Sequence, residues 1–149
     1  MRKISYNVLE TNALARFFCT KLVKKSMGSG TLVVALTGEL GAGKTLFVRA
    51  FAKALGIQEL IPSPTFLILR QYEIKNDNFD ILIHIDAYRI NSASDLEELG
   101  ITDMLRNPRA IVMIEWAERV SSILQKRYHE IHIDHIAETT RAFTFTEHE

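Results

Sequence analysis

Gly38-Glu39-Leu40-Gly41-Ala42-Gly43-Lys44-Thr45 satisfies the pattern G-x-x-x-x-G-K-[ST] at every fixed position. The chemistry that needs these residue types is phosphate binding. Glycines let the backbone turn tightly enough to aim successive N–H groups at one anion, and a helix starting near Lys44 would add the positive end of its dipole. Lys44 would neutralise the β- and γ-phosphates, and the Thr45 hydroxyl would take one position on Mg²⁺. At average composition this constraint arises by chance in about one chain of this length in two hundred. An apolar run precedes it and a helical pattern follows, so a glycine-rich turn with a stray lysine is the weaker reading.

A P-loop enzyme also needs a carboxylate at the end of a neighbouring strand to hold or orient Mg²⁺. Two apolar runs end in one: Ile81-Leu82-Ile83-His84-Ile85-Asp86 and Ile111-Val112-Met113-Ile114-Glu115. Strand alternation puts Leu82, His84 and Asp86 on one face. The unbroken apolar approach to Glu115 is that of a central parallel strand. Ligands of open α/β sheets bind beyond the carboxyl ends of strands, where Thr37, Gly38 and Glu115 all fall. Glu115 is therefore a candidate for Mg²⁺, and Asp86 for the metal or for positioning water. His84 reads as a packed, hydrogen-bonded histidine. Trp116 is either a core anchor, which composition favours, or an aromatic wall at the site. Ser63-Pro64-Thr65-Phe66 is either a rigid turn or a hydroxyl-bearing switch loop.

The elements that must position these residues follow from periodicity and breakers. A first strand is expected over Ile4–Leu9 and a helix over Glu10–Lys25, where Leu14, Phe17, Phe18 and Leu22 recur at helical spacing. Thr31–Thr37 is a buried strand, Lys44–Leu55 a helix closed by Gly56. Phe66–Ile74 and Asp80–Asp86 read as a hairpin about Lys75-Asn76-Asp77-Asn78. Ser92–Leu99 is a short helix stopped by Gly100, Arg109–Ile114 a buried strand ending at Glu115, and Ala117–Lys126 a helix. His129–His135 and Arg141–Thr146 are closing strands. The fold class expected is α/β, a P-loop NTPase-like domain with a partly parallel central sheet flanked by helices and added antiparallel strands, over residues 1–149 as a single P-loop ATPase domain.

Lys+Arg and Asp+Glu balance at 18 each, so no global basic field draws the chain to RNA or to an anionic membrane. Balanced charge favours association, a hint of a complex. The single cysteine, Cys19, excludes an intrachain disulfide and reads as a buried small hydrophobe. No apolar run is long enough to span a membrane, and Met1–Tyr6 lacks the apolar region of a signal peptide; a cytoplasmic location is expected.

Together the phosphate loop, Ser63-Pro64-Thr65-Phe66, His84-Ile85-Asp86-Ala87-Tyr88-Arg89, Glu98-Leu99-Gly100 and Ile114-Glu115-Trp116 resemble the TsaE family, the bacterial ATPases of tRNA threonylcarbamoyladenosine (t6A) synthesis. The resemblance runs from Asn7 to Glu118. It implies a low-turnover ATP hydrolase using ATP and Mg²⁺. Its hydrolysis would support or reset the TsaB–TsaD complex as that complex transfers threonylcarbamoyl to adenosine 37 of tRNA, which this chain would meet only indirectly. By that resemblance Leu40, Gly41, Ala42, Gly43, Lys44 and Thr45 bind ATP. Thr45 and Glu115 contact Mg²⁺, Asp86 is needed for hydrolysis, and Thr65 belongs to a switch-like loop. Trp116 lies at the nucleotide or partner site, and Arg141 reaches the nucleotide. Glu39, Leu46 and Ala87 depart from the family's usual Asp, Thr and larger apolar residue, and none of these removes a phosphate or metal ligand. Two other functions compete. A small P-loop kinase would need an arginine-bearing lid, for which Arg106-Asn107-Pro108-Arg109 is the available cluster. A nucleotide-gated interaction module with little turnover would fit the lack of a clear water-orienting Gln.

Overall fold

Leu32–Thr37 (β2) carries five consecutive buried residues, which a strand can do only where both faces are covered. The computed structural model, which describes all residues except 27, 29, 60 and 62–67, places it in the middle of a sheet. Among the described residues the other strands are β1 (Arg2–Ser5), β3 (Leu69–Glu73), β4 (Ile81–Asp86), β5 (Ala110–Glu115), β6 (Tyr128–His135) and β7 (Arg141–His148). Their order is β1-β7-β6-β2-β5-β4-β3. β2 pairs parallel with β5 and β6, and β5 parallel with β4, while β3, β7 and β1 add antiparallel edges. The expected mixed α/β architecture is the one found.

Helices α1 (Val8–Lys25) and α2 (Lys44–Ala54) cover one face. Phe18, Leu22, Phe47 and Phe51 pack there against Val34, Leu36, Met113, Ile133 and Phe143. Helices α3 (Ala93–Glu98) and α4 (Ile101–Arg106), with a 3₁₀ stretch over Ala117–Ile123, close the other face over Val33, Ala35, Ile83, Ile85, Val112 and Ile114. Ile83 and Ile85 thus face one core and Leu82 the other, as strand alternation requires. No helix among the described residues is long and apolar enough to cross a membrane.

Local chemistry moved several boundaries. The first strand stops at Ser5 and α1 starts at Val8 because Asn7 caps the helix. Its side chain accepts the Glu10 N–H at 2.9 Å, one of the N–H groups that a helix start otherwise leaves bare, while the Glu10 carboxylate accepts the N–H of Tyr6, just before the cap, at 2.7 Å. β3 is described from Leu69; Phe66 and Leu67 lie outside the described residues. α4 was not anticipated, since six residues are too few for apolar periodicity to register. The helix expected over Ala117–Lys126 is a shorter 3₁₀ run with a kink at Val120.

Phe47 is fully buried, with ring centroids 6.3, 6.3 and 5.8 Å from Phe18, Phe51 and Phe143. Phe47→Ala should therefore cost about 3–5 kcal/mol in denaturant unfolding, the transfer loss plus a cavity; a cost under about 1 kcal/mol would contradict this packing. Burial also pushes the Cys19 thiol up to about 12. At pH 8 it should resist an aromatic disulfide reagent in the folded chain and react fully once guanidinium unfolds it.

Candidate functional site

The carboxyl end of β2 runs directly into the glycine-rich loop, and the loop into α2. Gly38 has φ +139°, and a Cβ there would lie 2.4 Å from the Ile133 carbonyl oxygen. Only glycine lets the loop leave the strand this close to β6. Gly43 caps α2 in the left-handed region without any side-chain hydrogen bond. The first-turn N–H groups of α2 therefore keep their capacity for an external acceptor. Inside the loop, the Ala42 N–H bonds the Glu39 carbonyl at 3.1 Å.

Lys44 is 5% exposed. Its Nζ donates to the Gly38 and Glu39 carbonyls at 2.6 and 2.8 Å, so the side chain folds back across the loop that precedes it. An ammonium has three donors, and one remains. The same Nζ sits 4.0 Å from the centroid of the Trp116 ring, a cation–π distance. Burial lowers the Lys44 ammonium from its usual value; Glu118, then Glu115 and Asp86, oppose that shift.

Parallel pairing of β2 with β5 sets Leu36 beside Glu115, and pairing of β5 with β4 sets Glu115 beside Asp86. Both carboxylates stand at strand ends on the α2 side of the sheet. Glu115 is 2% exposed. Its Oε1 accepts the Thr45 hydroxyl at 2.7 Å, and its Oε2 lies 2.5 Å from Nε2 of His84. Asp86 is half-buried and accepts the Tyr88 N–H at 2.9 Å. Burial pushes its carboxyl above the usual range, against the Tyr88 bond, with Glu115 adding to the rise.

Trp116 is the non-glycine residue with positive φ among the described residues, at 58°. That twist, which costs a bulky residue about 1–2 kcal/mol, turns the indole off β5 and over Lys44. Tyr88 packs on it at 5.0 Å between ring centroids, and the Arg119 guanidinium lies 5.2 Å from Tyr88 and 5.6 Å from Trp116. Beside the loop, Trp116 walls an open cleft of about 400 Å³ that also touches Thr37, Gly38, Glu39, Glu118 and His132.

The residues singled out in the sequence thus separate clearly. Leu40 through Thr45, Asp86, Glu115 and Trp116 gather at one end of the sheet. Arg141 joins them from β7: its Nε donates to the Ala42 carbonyl at 3.0 Å, and its Nη1 to carbonyls of Ala137, Glu138 and Thr140. Thr65, with Ser63, Pro64 and Phe66, lies outside the described residues. Trp116 does both things its type allows: half-buried, it packs against the core under α3 and α4 and walls the cleft beside Lys44; its backbone twist could not be read from composition. Tyr88, Glu118 and Arg119 went unnoticed as neighbours of the site, the last two because they fall in what reads as an amphipathic helix. Arg109 pairs with Asp80 through Nε and Nη2 at 2.7 and 2.8 Å, at the opposite end of β4 and β5 from the loop. It offers no lid over the phosphates. Among the described residues no three His, Cys, Asp or Glu form a metal cage. Mg²⁺ does not require one, since it commonly takes one or two protein ligands and completes its shell with phosphate and water oxygens. The Thr45–Glu115 oxygen pair fits that use.

This fold and site define a P-loop α/β protein. The TsaE profile, described as threonylcarbamoyl adenosine biosynthesis protein TsaE, matches residues 6–143. The chain belongs to the TsaE family. It is 37% identical over 114 residues to the tRNA threonylcarbamoyladenosine biosynthesis protein TsaE of Bacillus subtilis, covering 76% of this chain and 68% of that one. It is 39% identical to the Treponema pallidum TsaE over 75% of this chain and 79% of the relative, and 36% identical to the Rickettsia felis TsaE over 91% and 73%. The crystal structure of Bacillus subtilis YdiB superposes with a TM-score of 0.76 at 28% identity, covering all of this chain and 86% of the other.

Gly38→Ala should shift the loop away from Ile133 and cost at least about 1–3 kcal/mol of stability or strain, seen as a lowered melting temperature. Unchanged melting would show that the close approach to β6 is dispensable.

Proposed function

We propose that this protein is an Mg²⁺-dependent ATP hydrolase that supports threonylcarbamoyl transfer to adenosine 37 of tRNA. It would act as an auxiliary subunit of a cytoplasmic TsaB–TsaD complex. The observation that carries this reading is the bond between Thr45 and the buried Glu115 at the mouth of the phosphate loop. A threonine following the loop lysine, paired to a strand-end carboxylate, is the donor set a magnesium nucleotide needs. Family membership supports the role in t6A synthesis. Balanced charge supports a chain that leaves the gripping of tRNA to its partners.

Within this reading the geometry supports a division of labour. Loop and first-turn backbone N–H groups between Leu40 and Thr45, apart from that of Ala42, which the Glu39 carbonyl takes, bind the phosphates. Lys44, braced by two loop carbonyls, aims its remaining donor and charge at them. Thr45 and Glu115 would hold the Mg²⁺, which would supply neutralisation of phosphate charge. Asp86, harder to ionise than an exposed carboxylate, accepts a hydrogen bond from the attacking water and orients it. Arg141 fixes the loop from behind through Ala42. Trp116 keeps Lys44 from swinging out; a nucleotide-sensing role for Thr65, which lies outside the described residues, is carried by the sequence resemblance alone.

Lys44→Ala should lower ATP affinity about 10- to 100-fold or more, the worth of a charge-assisted contact; unchanged affinity in a calorimetric titration would remove the loop from function. Glu115→Ala and Asp86→Ala should keep most nucleotide affinity yet lose about 10²-fold in phosphate release. Slow release by the chain alone should change when TsaB and TsaD are added. Tight binding with no release in either case would leave a nucleotide-gated interaction module.

A further inference from the structure

Glu115 has two carboxylate oxygens with two different partners, and only one of those partners belongs to the phosphate loop. Oε1 accepts the Thr45 hydroxyl, while Oε2 meets His84 Nε2 at 2.5 Å, and the His84 side chain is completely buried. His84 stands in register with Met113, two residues before Glu115 on β5. Its ring therefore reaches diagonally to Glu115 and ties β4 to β5 at the level of the loop. The other ring nitrogen, Nδ1, is buried with no hydrogen-bond partner. A proton on Nε2 has the carboxylate to receive it, whereas one on Nδ1 would be a buried donor without an acceptor, the costlier arrangement. Nε2–H is the donor. A packing role alone needs no such aim at a single oxygen.

The terminal torsion of a glutamate is broad and roughly two-fold. Held only through Oε1, the Glu115 carboxylate would be free to rotate; gripped at Oε2, it presents Oε1 in one direction. We infer that His84 is a positioning residue for the magnesium pair: its hold on Oε2 aims Oε1 of Glu115 toward Thr45 and the cation the two would share. This rests on reading Thr45 and Glu115 as the Mg²⁺ site. Partners that orient a metal ligand are worth about 10- to 100-fold in metal affinity.

Gln and Asn separate this role from packing. Both are polar, but the Gln amide nitrogen reaches about as far as Nε2, whereas the Asn amide nitrogen stops near the position of Nδ1. Binding of a fluorescent ADP analogue to the full chain is measured in EDTA and then with Mg²⁺ titrated in. In EDTA the unsubstituted chain, His84→Gln and His84→Asn should agree within about twofold. His84→Asn should require about 10- to 100-fold more Mg²⁺ for its effect, and His84→Gln should stay within about threefold of the unsubstituted chain. In a Glu115→Gln background, His84→Asn should change the Mg²⁺ requirement no further, because it acts through Glu115. Equal behaviour of Gln and Asn would overturn the inference, as would a loss in His84→Asn that is already complete in EDTA. Should His84→Asn fail to fold, a tenfold loss of Mg²⁺ affinity in His84→Gln with its EDTA binding intact overturns it alone. An unsubstituted chain whose ADP binding ignores Mg²⁺ would instead overturn the magnesium reading itself.

Discussion

Glu115 is a carboxylate taken out of water at the centre of a parallel sheet, and much of the site is arranged to make that tolerable. Removing a carboxylate from solvent costs several kcal/mol unless its lone pairs are met and a compensating charge lies close. Thr45 meets one oxygen and His84 the other, while Lys44 supplies positive charge nearby. Those three residues come from the start of α2 and from β4, so one buried charge ties the phosphate loop, its helix and the neighbouring strand together. The β2–β5 register, Leu36 beside Glu115, makes the arrangement possible. A slip of one residue would turn the carboxylate to the opposite face, into the core under α3 and α4.

Lys44 presents the complementary problem. An ammonium in a nearly closed setting keeps its charge only if its surroundings replace the water it has lost. Two loop carbonyls do so directly, the Trp116 face adds its negative quadrupole, and three carboxylates contribute at longer range. The backbone twist at Trp116 is part of this arrangement: in an ordinary strand conformation the indole would not turn back over the loop. Local strain is thus spent on covering a charged group at the site, a common place to find it.

The outer hairpin is joined to the same centre. β6 pairs with β2 on the side away from β5, and β7 carries Arg141 back to the Ala42 carbonyl. The loop is consequently braced from both sides, by β5 through Glu115 and by β7 through Arg141. Close approach of Gly38 to Ile133 completes the fit between loop and hairpin. The final strands, distant in sequence from the phosphate motif, therefore help to set its shape.

Much of this was legible in the residues themselves. The glycine spacing, the lysine and threonine that follow it, the two apolar runs ending in Asp86 and Glu115, and the mixed α/β pattern all express short-range rules: backbone freedom, alternation and helix caps. α4 escaped because it is too short to show a period, and the early start of α1 because Asn7 and Glu10 outweighed the apolar run through Leu9. What no local rule could supply was pairing at a distance. That Oε1 and Oε2 of Glu115 divide between Thr45 and His84 depends on two parallel registers. That Trp116 covers Lys44 depends on one backbone twist, and that Arg141 reaches Ala42 depends on a hairpin crossing to the far side of β2. Sequence alone determined which residues are candidates for phosphate and metal chemistry, since that chemistry resides in side-chain type and spacing. Tertiary structure decided which of them share a charge and which atom each one faces, because burial and strand register arise only once the sheet has assembled.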